Sequence, residues 1–141
     1  MYLTLYPDPY IAKDSLLNVL AYAVGNPEQK HLETLIAEVY TPSVASLYVL
    51  CDGPLVAAVI GIKHLPNFSG QILHIAVEKI FRHQGWGRFL IAEVVKREQL
   101  NRVMAETDGA AVDFYRRCGF VISSLGEKYP GVERFHCLWT Q

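Results

Sequence analysis

The 141-residue chain contains no run of about 20 apolar residues that could cross a bilayer as a helix. Its opening, "MYLTLYPDPY", has no basic segment followed by an apolar core, so it does not read as a secretory leader. Cysteine is scarce. Cys51, Cys118 and Cys137 are odd in number and lack CxxC spacing, which argues against a disulfide framework or a zinc site and for free thiols in a reducing, cytoplasmic setting. A charge surplus is missing too: 13 Lys and Arg against 14 Asp and Glu leave a formal charge of −1. Neither nucleic acid nor an anionic membrane is therefore an expected partner. No His, Cys, Asp and Glu cluster has metal-ligand spacing, so no metal is expected. The nucleophile motif GxSxG and the Walker pattern GxxxxGK[ST] are absent, as are repeats, low-complexity segments and linkers.

What is present is the composition of a globular protein, 51% apolar and 19% charged, in a chain of one-domain length, residues 1–141. "YLTLY" reads as a first strand. Asp8 as cap and Pro9 as first helical residue predict a helix start, with Leu16, Leu17, Leu20, Ala23 and Val24 on one face. Asn26, Pro27 and Gln29 predict a second start by the capping-box pattern. Leu32, Leu35, Ile36, Val39 and Tyr40 then form a buried stripe that Pro42 ends. "SLYVLC" and "PLVAAVIGI" flank "DGP" and predict a hairpin, although Pro54 argues against a strict two-residue turn. "QILHIAV" is the next strand. Two β-helix alternations follow: a helix from Gly85 to about Gln99, the strand "RVMAE", a helix from Asp108 to Cys118 and the strand "FVI". The last strand, "ERFHCLW", sets Phe135, Cys137 and Trp139 on one face. The order β-α-α-β-β-β-α-β-α-β-β predicts a mixed sheet with helices on both faces, an α/β or α+β domain.

"RHQGWG", Arg82 to Gly87, lies at a predicted strand-to-helix junction. A helix N-terminus carries unpaired N–H groups and partial positive charge, which suits an anion. Gly85 and Gly87 let a ligand approach the backbone, and Arg82 and Arg88 suit phosphate contacts. The glycines alone admit a phosphate loop or a plain packed turn. The dinucleotide fingerprint GxGxxG fails at its third glycine, which is Leu90. Glu106, about 20 residues on, sits where a ribose-binding acid would lie, but the chain leaves no room for a second βαβαβ half.

Arg82-x-x-Gly85-x-Gly87 after a strand ending "IAV" resembles the [QR]-x-x-G-x-[GA] signature of the GNAT superfamily of N-acetyltransferases. "DGAAVDFYRRCGF", Asp108 to Phe120, is similar to that family's second signature, and the element order agrees along nearly the whole chain. The resemblance implies a splayed sheet and acetyl transfer from acetyl-CoA to an amine. It places the CoA pyrophosphate on the amides of Arg82, His83, Gln84, Gly85, Trp86, Gly87 and Arg88. It places the pantetheine arm beside Ile75, Ala76 and Val77. Asp108 takes a position where the family often has an asparagine touching the pantetheine, besides serving as a helix cap. His83 and Arg88 are candidate phosphate contacts or solvated side chains, and Trp86 packs the loop or covers the cofactor.

Direct transfer needs a neutral amine, a polarised thioester and a proton for the departing thiolate. A lysine-like amine, with a pKa of about 10.4, is mostly protonated at pH 7, so a base or a water chain must help. The N–H of Val77 is a candidate for the oxyanion. The resemblance makes Tyr115 the general acid; periodicity alone would place it in the core with Ala111 and Cys118. Family members carry a base four or six residues before the "AV" valine, and here those positions are Leu73 and Gln71. Glu78 and His74 are the candidate bases, either acting through water; the alternatives are a solvated strand-end charge for Glu78 and a hydrogen-bonded structural histidine for His74. Strand alternation sets both on the face opposite Leu73 unless a bulge intervenes. The missing base keeps open a second reading, a CoA-binding sensor or interaction domain without turnover. The acceptor, a small-molecule or peptide amine, is expected between the N-terminal helices and the loop "SSLGEKYPGVE", with Tyr10, Glu38 and Tyr129 as contributors. Pairing of two copies through the last strand is a further option.

Overall fold

A single seven-stranded sheet organises the chain, its strands in the spatial order first, second, third, fourth, fifth, seventh, sixth. The computed structural model describes all residues, Met1–Gln141. The strands are β1 (Tyr2–Leu5), β2 (Ala45–Asp52), β3 (Leu55–Leu65), β4 (Ser69–Val77), β5 (Arg102–Asp108), β6 (Val121–Tyr129) and β7 (Val132–Thr140). The helices are α1 (Lys13–Leu20), α2 (Gln29–Val39), α3 (Trp86–Arg97) and α4 (Val112–Arg117), with 3-10 turns at Ala21–Ala23 and Lys79–Phe81. The order matches the one predicted. No helix is long and apolar enough to cross a membrane.

Alternation along the strands builds two cores. Leu47, Val49 and Cys51 face one way and meet Leu16, Leu20, Leu32 and Ile36 of α1 and α2. Tyr48, Leu50, Ile60 and Ile62 face the other way and meet Leu90, Val94, Val112 and Tyr115 of α3 and α4. Burying a side chain of this size contributes about 1.5–3 kcal/mol, so the two apolar layers hold the helices in place.

β4 and β5 form the sheet's parallel pair, and it is short. Only Ser69–Arg102, Gly70–Val103 and Gln71–Met104 are in register. Beyond them the strands diverge. β4 also carries a bulge: Gly61 faces His74 while the next residue, Ile62, faces Ile72, so Leu73 is extra. The bulge breaks the period of two. Ile72, Ile75 and Val77 pack on the α3/α4 side, and Leu73 and Ala76 on the α1/α2 side.

Several local expectations are corrected. Asp8 does not cap α1; Ala12 precedes the helix, and the Asp8 carboxylate accepts from the N–H of Tyr10, closing a turn. Asn26 likewise accepts from the N–H of Glu28, and α2 starts at Gln29. Such short polar side chains favour local turns as readily as caps. The "DGP" turn is a two-residue one, since Asp52 pairs with Leu55. Gly53 has φ +55°, and the fixed negative φ of Pro54 suits the second place of a II′ turn. The fourth helix starts at Val112, later than Asp108. "SSLGEKYPGVE" is the β6–β7 hairpin. The last strand is paired on both sides, by β5 and β6, so it offers no free edge to a second copy.

Candidate functional site

The divergence of β4 from β5 opens a cleft of about 1350 Å³. Its walls are Ile72–Val77 of β4, Glu106–Asp108 at the end of β5, the loop at the start of α3, one side of α4, and Tyr22–Gly25. The peptide groups of β4 can be followed from its pairing. The N–H of Glu78 donates to Ala57 O at 2.8 Å. In an antiparallel ladder bonded and non-bonded pairs alternate. Ala76, opposite Val59, therefore gives its peptide groups to β3. Ile75 and Val77 turn theirs into the splay, where β5 no longer reaches. The Val77 carbonyl accepts from Arg82 Nε at 2.8 Å.

At one end of the cleft, Gly85 precedes α3 with φ +85°, and nothing lies within 4 Å of where its Cβ would be. His83 also has positive φ, 62°. The loop thus winds back on itself and leaves the first amides of α3 without helical partners. Gly87 is different. A Cβ there would meet Cε1 of Phe114 at 2.8 Å, so this glycine serves the packing of α3 on α4 as well as any ligand's approach. Arg88 donates from Nη2 to the carbonyl of Arg117 at 2.8 Å, a second tie between the two helices. The Arg82 guanidinium lies over the Tyr22 ring at 4.7 Å. Trp86 packs edge-on against Phe89, with centroids 5.5 Å apart. Its Nε1 is buried without a partner, a donor that protein groups leave unsatisfied at the cleft wall. Gln84 donates to Ile80 O at 3.3 Å and is absent from the cleft lining.

Tyr115 lines the cleft from α4 and is 5% exposed. Its ring stands T-shaped between Phe114 and Phe120. Burial pushes its phenol well above the ordinary tyrosine value, so it holds its proton at neutral pH. Asp108 accepts through Oδ1 from the N–H groups of Ala110 and Ala111 at 3.0 and 3.1 Å, a cap-like role for the turn that leads into α4.

The two base candidates are placed differently. Glu78 Oε1 accepts from Tyr22 Oη at 2.9 Å and from its neighbour's N–H on Lys79 at 2.7 Å. It caps the 3-10 turn and lies outside the cleft lining. His74 lines the cleft. The bulge turns it to the Leu73 side, against the expectation for a regular strand. Its Nδ1 is hydrogen-bonded to the hydroxyl of Tyr40 at the end of α2. Burial holds His74 below the usual histidine value and pushes the Tyr40 phenol upward.

Glu106 lies on the cleft wall, but it is paired: Lys128 Nζ reaches Oε1 at 2.9 Å and Arg134 Nε reaches Oε2 at 3.3 Å. Lys128, then Arg134, hold its carboxyl below the ordinary glutamate value. Both oxygens therefore hold a cationic partner from β6 or β7. Tyr10, Glu38 and Tyr129 are exposed and do not line the cleft. Tyr22, Phe114 and Tyr40 were not legible as site residues. Tyr22 follows a helix stripe it does not share, and Tyr40 ends a stripe that reads as core.

A family model described as an acetyltransferase (GNAT) domain matches residues 43–122. The uncharacterized N-acetyltransferase ycf52 of Gracilaria tenuistipitata var. liui is 29% identical over 65 residues, 44% of this chain and 36% of that protein's length. An acetyltransferase from Bacillus anthracis in complex with acetyl coenzyme A is 25% identical, with TM-score 0.65 over 74% of this chain and 67% of the other. An aminoglycoside 6′-N-acetyltransferase complexed with coenzyme A superposes with TM-score 0.81 at 16% identity, over 99% of this chain and 97% of the other; at that identity the likeness is one of fold.

Proposed function

The chain belongs to the GNAT acetyltransferase family, and on that premise we propose that it is an acetyl-CoA-dependent N-acetyltransferase that moves the acetyl group directly to a primary amine. The observation that carries this is the cleft itself. At its edge the peptide groups of Ile75 and Val77 have no strand partner, one end is closed by a helix N-terminus, and a buried protonated phenol lines the same space.

The residues present fit CoA. The amides at the start of α3 and the open backbone at Gly85 suit the pyrophosphate, with His83, Arg88 and Trp86 around it. The edge of β4 at Ile75 and Val77, where no strand pairs, suits an extended amide-bearing arm, which adds to a sheet edge as a strand does; the Val77 N–H is open to it while the Val77 carbonyl holds Arg82. Acetyl-CoA supplies the activated acyl group. The N–H of Val77 stabilises charge on the thioester oxygen, and Tyr115 gives a proton to the departing sulfur. A phenol raised by burial remains protonated for that task at pH 7. Glu78 serves in this reading to hold Tyr22 and the turn after β4.

The acceptor class is a small-molecule or peptide amine. A CoA-binding domain without turnover is the second reading, favoured by Leu73 and Gln71 at the base positions. Incubation with acetyl-CoA and a broad amine panel decides between them. Thiol release matched by an N-acetylated product supports the enzyme; CoA binding without thiol release supports the sensor.

A further inference from the structure

The His74–Tyr40 pair stands apart from the groups the transfer reading uses. Three features of the chain build it. The bulge at Leu73 turns His74 onto the α1/α2 side and into the cleft wall. Tyr40, 8% exposed, comes from the end of α2 and bonds the imidazole at Nδ1. Gly61, directly across from His74, makes room: a Cβ there would fall 1.6 Å from Tyr40 Oη. No other residue type could occupy position 61 with Tyr40 in this place.

We propose that His74 is the base that takes the proton from the acceptor amine, and that Tyr40 is the positioning residue that makes it one. The inference rests on the acetyl-transfer reading. In the working tautomer, Nδ1–H donates to the Tyr40 oxygen and Nε2 keeps its lone pair for the cleft. As the amine nitrogen bonds to the acyl carbon and the C–S bond breaks, the N–H proton passes to Nε2, directly or through one water. The sulfur takes its proton from Tyr115. Between turnovers the imidazolium, still bonded to Tyr40, loses its proton to solvent and the Tyr115 phenolate takes one from solvent. Burial keeps His74 neutral at pH 7, ready to accept. The surroundings add little charge. α1 turns Leu16, Leu17, Val19 and Leu20 inward, and β3 presents Gly61. The Tyr22 hydroxyl is bonded to Glu78, and Glu106 across the cleft is neutralised by Lys128 and Arg134.

The test joins NMR with kinetics. In the full-length protein with CoA bound, 15N NMR of the histidine rings at pH 7.5 is expected to show His74 protonated at Nδ1 and bare at Nε2. An Nε2–H tautomer would overturn the proposal, whatever the turnover. With any amine that the wild type acetylates, His74→Asn retains an amide for Tyr40 but no base. It is expected to lower kcat about 100-fold or more, leave CoA affinity within twofold, and abolish the acidic limb of the kcat profile. Tyr40→Phe is expected to cost about tenfold in kcat, the worth of one hydrogen bond, with KM for acetyl-CoA unchanged, and to shift His74 toward Nε2–H. A His74→Asn enzyme with wild-type kcat and its acidic limb intact refutes the base. Absence of thiol release in the wild type with every amine refutes the transfer reading instead, and the ring NMR still judges the His74–Tyr40 arrangement.

Discussion

The Cβ that Gly87 lacks would stand 2.8 Å from the Phe114 ring. Through this contact the loop that opens α3 and the helix that carries Tyr115 share one steric constraint. In Gly87→Ala the Phe114 ring, or α4 with it, must shift. The expected cost is about 1–3 kcal/mol of stability, as for other overpacked sites, together with weaker CoA binding. Gly85→Ala meets no neighbour but must hold an alanine at φ +85°, which costs about 1–2 kcal/mol of backbone strain. Combining Gly87→Ala with Phe114→Leu should recover part of the first loss and none of the second. Chemical denaturation of the single and double variants checks this.

Tyr115→Phe removes one oxygen and keeps the ring between Phe114 and Phe120. As the proton donor to the leaving sulfur, Tyr115 is expected to account for about 10²–10⁴-fold of the rate. The variant should therefore lose kcat by at least that lower figure while CoA affinity stays near wild type. An unchanged kcat removes Tyr115 from the mechanism.

The acidic side of the pH profile follows from His74. Its folded pKa lies below the ordinary value of 6.5, and activity needs the neutral ring. Activity is therefore full above that folded value and falls as pH drops through it, so the acidic limb should lie below pH 6.5. Steady-state kcat measured across the acid range checks the position of the limb, and a midpoint above the ordinary histidine value would contradict the burial of the ring.

Gly61→Ala tests the packing beneath the same pair. With Tyr40 Oη and Cζ at 1.6 and 2.4 Å from the new Cβ, the tyrosine must leave its place. The loss should be at the upper end of the roughly 1–3 kcal/mol usual for overpacking. Replacing Tyr40 by Ala in the same chain should return part of the stability but not the activity, as thermal melts and kcat on the pair of variants would show.

The order of elements and both helix-covered faces were legible because apolar periodicity carries them: Leu16, Leu20, Leu32 and Ile36 read as buried stripes and are buried. The motif around Gly85 and Gly87 was legible too, since positive φ and close approach demand glycine. Cap residues were misread where Asp8 and Asn26 close turns of their own instead of helices. Deeper limits appear at β4. The bulge at Leu73 depends on pairing with β3, and no local signal in "QILHIAV" announces it, so the sequence leaves the face of His74 open. Tyr40 looked like the last residue of a core stripe because its hydroxyl's partner is 34 residues away. Ala76 shows the same limit: its peptide groups go to β3, and only the ladder reveals that Ile75 and Val77 turn theirs into the splay.

Trp86, whose indole N–H is buried at the cleft wall without a partner, reports directly on what this cleft binds. The chain has two tryptophans, so Trp139→Phe leaves Trp86 as the sole reporter. Titration with CoA should change its emission saturably, with acetyl-CoA giving the same end point and NAD+ giving no change. A response to NAD+ in place of CoA, or no response to CoA at any concentration, would contradict the assignment of this cleft.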